Sequence, residues 1–156
     1  MTDIRRRTVA GLNAGDTFII TRKFTEKDVD AFTQVTRDQN PIHSSKRFVE
    51  LKGFNGRICH GLLVGGMITE VGGQIGWLAS GMRFRFKKPV YFNDTITCRF
   101  TLTTVDEKNR AEAEAVFTNQ HQEVVLEASL FGVLPNAEER QVLQGLLDSC
   151  KGREDA

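Results

Sequence analysis

Hydrophobic and polar positions along the chain follow two different periods. From Gly61 to Leu78 apolar residues surround the backbone on nearly all sides: Leu62, Leu63, Val64, Met67, Ile68, Val71 and Ile75, diluted by Gly65, Gly66, Gly72, Gly73 and Gly76. A helix that is apolar all round is an enclosed one. Glycines let neighbouring backbone approach it closely, at about 1 kcal/mol of helix propensity for each interior position. The stretch therefore predicts a long central helix. Beyond it the period falls to two. Met82, Phe84 and Phe86 alternate with Arg83, Arg85 and Lys87, and Ile96, Cys98, Phe100 and Leu102 alternate with Thr and Arg. Ala111, Ala113, Ala115 and Phe117 alternate with Glu112, Glu114 and Val116, and Val124 to Val133 is a further β-rich run. Strands with one polar face predict an antiparallel sheet, with turns at Asp106–Asn109 and Asn119–Gln122.

Ahead of the central helix, Thr17 to Arg22 reads as a short strand after the turn signal Gly15-Asp16. Thr25 is an N-cap candidate, with Asp28 placed to favour the free N–H groups of the first turn of a helix from Glu26 to Arg37. Val29, Phe32, Val35 and Thr36 form its predicted packing stripe. Pro41 disfavours helix at Asn40, so this helix ends by Gln39. Ser44 and Ser45 then cap a short helix over Lys46 to Leu51, and 52–59 reads as loop. After the sheet, Asn136 and Glu139 form a capping pair for a tail helix with Val142, Leu143, Leu146 and Leu147 as an apolar stripe. These elements fit an α+β domain in which an antiparallel sheet wraps one long helix. The core runs from about residue 15 to 134, with a C-terminal helix over 136–151.

Composition narrows the function classes. The chain has 156 residues, 40% of them hydrophobic, enough for one core and too few for two comfortable domains. Its 21 Lys and Arg against 20 Asp and Glu give a formal charge of +1, without long runs of either sign. That balance argues against nucleic acid or a membrane surface as a partner. Cys59, Cys98 and Cys150 are widely spaced and form no C-x-x-C pair. They read as reduced thiols in an intracellular protein. Arg5, Arg6 and Arg7 precede no apolar signal core, which points to the cytoplasm and leaves a short mitochondrial presequence open.

The chemistry-bearing stretch is Asp38-Gln39-Asn40-Pro41-Ile42-His43. On a continuous helix Asp38 and His43 would stand about 140° apart around the axis. With Pro41 between them, the backbone is free to fold so that both point at one water. Carboxylate and imidazole together hold and move a proton near neutral pH, and the Asn40 amide can orient the water or lock the loop. The backbone N–H of Gly61, at the positive end of the central helix, is an oxyanion donor candidate. Read locally, Asp38 and Asn40 are also ordinary caps. His60, heading a buried helix, reads as structural, and His121 as a turn residue. No third ligand at usual spacing joins Asp38 and His43, so no metal site is expected. Arg83, Arg85, Lys87 and Lys88 form a local cluster of like charge. They are candidates to meet phosphates or an acidic surface, or else form a solvated strand face.

Asp38-x-Asn40-Pro41-Ile42-His43, His60-Gly61 opening a Gly-rich helix, and Arg83-Phe84 followed by Pro89-Val90 before a strand at Asp94-Thr95 together resemble the MaoC-like hot-dog family. That family includes (R)-specific enoyl-CoA hydratases and 3-hydroxyacyl-thioester dehydratases. The resemblance covers about residues 15–134. It implies a hot-dog fold, a homodimer, and reversible hydration of (2E)-enoyl thioesters to (R)-3-hydroxyacyl thioesters. It further implies Asp38 and His43 as the catalytic pair, Gly61 as the oxyanion donor and Asn40 as a positioning group. Arg83, Arg85 and Lys87 would meet the substrate. Coenzyme A or carrier-bound pantetheine would belong to the substrate, with no resident cofactor. A hot-dog thioesterase and a non-catalytic acyl-thioester-binding subunit stay open beside this reading. Arg37 stands where the family usually has glycine, Val49 where it has a small residue, and Gly66 where many members place a serine.

Overall fold

In the computed structural model, residues 3–154 are described, the side chains only as far as Ser149, so Cys150 lies outside the described side chains. The elements in chain order are α1 (Asp3–Ala10), β1 (Thr17–Lys23), α2 (Glu26–Thr36), α3 (Pro41–Ser44), α4 (Lys46–Leu51), α5 (Gly61–Gly65) and α6 (Met67–Ile75). They continue with β2 (Leu78–Phe86), β3 (Thr95–Val105), β4 (Arg110–Thr118), β5 (Val124–Val133) and α7 (Ala137–Glu154). One antiparallel sheet of order β1-β3-β4-β5-β2 carries the fold. Its inner face is the apolar half of each alternating strand. Ile96, Cys98, Phe100 and Leu102 of β3, and Ala111, Ala113, Ala115 and Phe117 of β4, are all buried. Against them pack Val64, Met67, Ile68, Val71 and Ile75 of the central helical segment.

That segment departs from a single helix over 61–78. It is two pieces, tightened at Gly66 by an i→i+3 bond from the Thr69 N–H to the Gly66 carbonyl (2.9 Å), and it stops at Gly76 in the left-handed region (φ 76°). Leu78 already belongs to β2. The glycines act as the sequence suggests: a Cβ on Gly61 would stand 2.5 Å from the Phe86 ring, and one on Gly65 2.9 Å from the Phe84 ring. So β2 lies directly on the backbone of α5.

The capping pairs form as read. Asp28 accepts from the Thr25 N–H (2.7 Å), and Asn136 and Glu139 bond each other's backbone (2.8 and 3.0 Å). The stripes are narrower than expected. Val35 is 84% exposed, while α2 buries Val29 in the core and turns Phe32 onto the His60 ring, and in α7 Leu143 faces Gly76 while Val142 and Leu146 point outward. Helix α1 has no apolar periodicity to announce it. Arg5 holds it in place by donating to the carbonyls of Gln74 (3.0 Å) and Gly73 (2.9 Å) at the end of α6, and Arg7 by pairing with Asp16 (2.7 Å). Among the described residues, no helix is long and apolar enough to cross a membrane.

Candidate active site

Helix α2 ends through backbone conformation rather than through Pro41. Arg37 adopts φ 59°, ψ 22°, and its N–H bonds the Thr33 carbonyl at 2.7 Å. Left-handed backbone favours glycine, the residue the family resemblance leads one to expect there. Asp38 follows, its Oδ1 accepting from the Asn40 N–H at 3.1 Å. Asn40 in turn caps α3, its Oδ1 accepting from the Ile42 N–H at 3.2 Å. Pro41 stands at the first helical position, where its missing N–H costs nothing. It starts α3 instead of stopping α2. That single turn swings His43 back over Asp38.

A strap over residues 56–60 then fixes the imidazole. The Ile58 N–H donates to the Ile42 carbonyl (3.3 Å), and the Ile58 carbonyl accepts from His43 Nδ1 (2.7 Å). A carbonyl only accepts, so Nδ1 carries the hydrogen and Nε2 presents a lone pair. His43 Nε2 lies 3.8 Å from Asp38 Oδ2. That is too long for a direct hydrogen bond and leaves two proton acceptors converging on one point. His43 is buried, whereas Asp38 is about half exposed, with 48% of its side chain in solvent. Burial pushes the His43 imidazole below its ordinary pKa of 6.5, helped by His60. The Ile58 bond and the Asp38 charge pull the other way and do not cancel it.

His60 is the residue whose part sequence understated. Its ring is 2% exposed, stacks on His43 at 3.7 Å between centroids, and approaches Asp38 Oδ2 to 3.9 Å. Asp38, His43 and His60 thus place one ligand-type atom each within 4.8 Å of one another, a third ligand that linear spacing does not reveal. His60 Nε2, however, also faces the Asp38 carbonyl (3.2 Å) and the Thr33 hydroxyl (3.4 Å). Thr33 spends its hydrogen on the Val29 carbonyl (2.9 Å), so both neighbours of Nε2 are acceptors. Nε2 therefore holds a hydrogen, not the lone pair that a metal needs.

These groups line a cavity of about 660 Å³ whose walls include Ile42, Phe54, Gly61, Phe86 and Val125. Gly61, the first residue of α5, borders it with the Phe86 ring packed on its Cα. Lys87 and Lys88 stand on its rim, already paired with Glu127 (3.1 Å) and Glu123 (2.5 Å). Arg83 and Arg85 are elsewhere. Phe84 and Phe86 face α5, so alternation turns both arginines to the other side of the sheet, into a depression shared with Glu114 and Glu127. His121 sits exposed in the β4–β5 turn.

The family model described as the MaoC like domain matches residues 13–125. The chain belongs to that family. Two curated relatives are each 29% identical to it. One is a protein named 3-hydroxybutyryl-CoA dehydratase from Methylorubrum extorquens, matched over 85% of this chain and 87% of the relative. The other is named mitochondrial 3-hydroxyacyl-[acyl-carrier-protein] dehydratase, from Arabidopsis thaliana, over 80% and 79%. Among solved structures, an unliganded R-hydratase from Pseudomonas aeruginosa superposes with a TM-score of 0.75 at 26% identity, covering 82% of this chain and 85% of that one. The MaoC-like chain thus has the hot-dog architecture, with α7 as a C-terminal addition.

Proposed function

We propose that this MaoC-like chain hydrates (2E)-enoyl thioesters to (R)-3-hydroxyacyl thioesters, or runs the reverse dehydration. The observation that carries the reading is the convergence of Asp38 Oδ2 and His43 Nε2, both proton acceptors, at the mouth of a largely apolar cavity. One water can donate a hydrogen to each and turn its oxygen lone pair toward a substrate β-carbon. As the C–O bond forms, the water's proton passes to the pair and the π electrons move onto the thioester oxygen as an enolate. The Gly61 N–H, at the positive end of α5, is the donor for that oxygen. The conjugate acid of the pair then returns a proton to the α-carbon. No resident cofactor enters these steps.

The names of the relatives support the reaction type, and that of the solved structure supports the stereochemistry. Asn40 serves as the cap that holds the loop, and Lys87, with Lys88, is placed to meet the phosphates of coenzyme A or a carrier-bound pantetheine. Arg83 and Arg85 would reach the substrate only outside this cavity. Two chains pair as a homodimer.

The test is a hydration assay on crotonyl-CoA and a longer enoyl-CoA. Loss of enoyl absorbance without release of thiol is expected for the wild type. Asp38→Asn and His43→Gln should each lose on the order of 10²–10⁴-fold in kcat, the usual contribution of a positioned acid or base. Wild-type rates in both variants would overturn the site assignment, and an inert wild type on every chain length would overturn the reaction.

A further inference from the structure

His60 is more deeply enclosed than either member of the catalytic pair, and nothing in the reaction above uses it. Its ring fills the space between Phe32 of α2, at 5.0 Å and 48°, and His43 of α3, at 3.7 Å and 29°. Its Nε2 faces the Asp38 carbonyl at 3.2 Å and the Thr33 hydroxyl at 3.4 Å. Its Nδ1 is buried without a hydrogen-bond partner among the described residues. A ring nitrogen left without a partner in a buried place is costly when it bears a hydrogen that must find an acceptor, less so when it is a lone pair. Both ends of the ring therefore specify one tautomer: hydrogen on Nε2, lone pair on Nδ1.

That tautomer performs a task. Asp38 follows a left-handed residue, is half exposed, and among the described residues is otherwise tied by the local bonds to Thr36 and Asn40. Left to those bonds, its carboxylate would swing with the loop. We infer that His60 is a positioning residue: its Nε2–H clamps the Asp38 backbone onto α2 while its face seats the His43 ring, so one side chain sets the separation of the two groups that activate water. Its place at the head of α5, next to Gly61, ties that geometry to the helix end proposed to receive the enolate. The kinetic arm of this inference rests on the Asp38 and His43 reading. The spectroscopic arm does not.

The experiment has two parts. Long-range ¹H–¹⁵N spectra of the uniformly labelled wild-type protein distinguish imidazole tautomers, and the chain has only three histidines to assign. A buried His60 resonance with hydrogen on Nε2, beside a His43 resonance with hydrogen on Nδ1, is expected. Hydrogen on Nδ1 of His60 overturns the clamp whatever the enzyme catalyses. The second part compares His60→Phe, which keeps a ring on His43 but has no donor, with His60→Gln, which keeps an N–H donor at similar reach. His60→Phe should lose about tenfold to a hundredfold in kcat, with KM within threefold, as expected for a misplaced catalytic group. His60→Gln should recover most of that loss. Wild-type kcat in His60→Phe, or an equal loss in both variants, overturns the donor role. If His60→Phe fails to fold, as its circular dichroism would show, the tautomer measurement decides alone.

Discussion

Burial and charge act on His43 in opposite directions, and burial wins. Because its pKa lies below 6.5, its Nε2 lone pair stays available into mildly acidic solution. The acidic limb of kcat/KM for enoyl-thioester hydration should therefore have its midpoint below pH 6.5, and a midpoint above pH 7 would contradict the environment described. The same shift carries a stability consequence of fixed sign. The unfolded chain, with an ordinary imidazole, takes up the proton more readily than the folded one, so stability falls as pH drops below 6.5 toward the folded-state pKa. Urea midpoints measured across that window, with His43→Gln as the control that removes the effect, check it. At this scale Asp38 and His43 were legible because only five positions separate them and a proline signals that no single helix spans the interval. The placement of His60 against both was not, since it depends on α5 returning beside α2 across 22 residues of sequence from Asp38. Arg37 shows a milder gap: the residue type hides a left-handed conformation that a glycine would have announced.

At the scale of elements, the glycines decide how closely the layers meet. Gly132 of β5 stands opposite Ala79 of β2, beside the irregularity between Ala79 and Gly81. A Cβ there would overlap the Trp77 indole and come within 2.5 Å of the Leu78 carbonyl. The Leu78 carbonyl is backbone of the paired strand β2 and cannot step aside as a flexible side chain does. Gly132→Ala is accordingly expected to lower unfolding free energy by about 2–3 kcal/mol, as overpacking does elsewhere, read from denaturant melts. Gly73→Ala, on the same chain and with open space around its Cβ, is the control. The alternating strands and both capping pairs were legible because side-chain period and cap chemistry are local properties. Helix α1 was not, because it carries no regular apolar stripe: Ile4 packs on the core, and bonds from Arg5 and Arg7 to distant backbone and to Asp16 add to that hold. The break at Gly66 was hidden for a related reason. Glycine allows several backbone paths, and packing against the sheet selects one.

At the scale of the molecule, the two edges of the sheet are unlike. The β1 edge ends in Arg22 and Lys23, the kind of charge that blunts strand-to-strand association. The β2 edge is nine residues long and shows Leu78, Met82 and Phe86 at 73%, 45% and 57% exposure, with Leu62 of the adjoining α5 at 58%. Arg83 and Arg85 turn to the opposite face of this strand, and an edge of that length beside exposed apolar side chains is a template for pairing. A second copy of this chain is the partner that the proposed homodimer supplies, joining β2 to β2 by an isologous contact. Because β2 runs from this edge into the cavity wall at Phe86, pairing would also stiffen the ring that lies on Gly61. Sedimentation velocity at micromolar concentration should thus find a dimer. Met82→Glu, which brings like charges together across the two-fold, should shift it to monomer and lower hydration activity with it. A wild-type monomer, or a Met82→Glu dimer of unchanged affinity, would remove β2 from the interface.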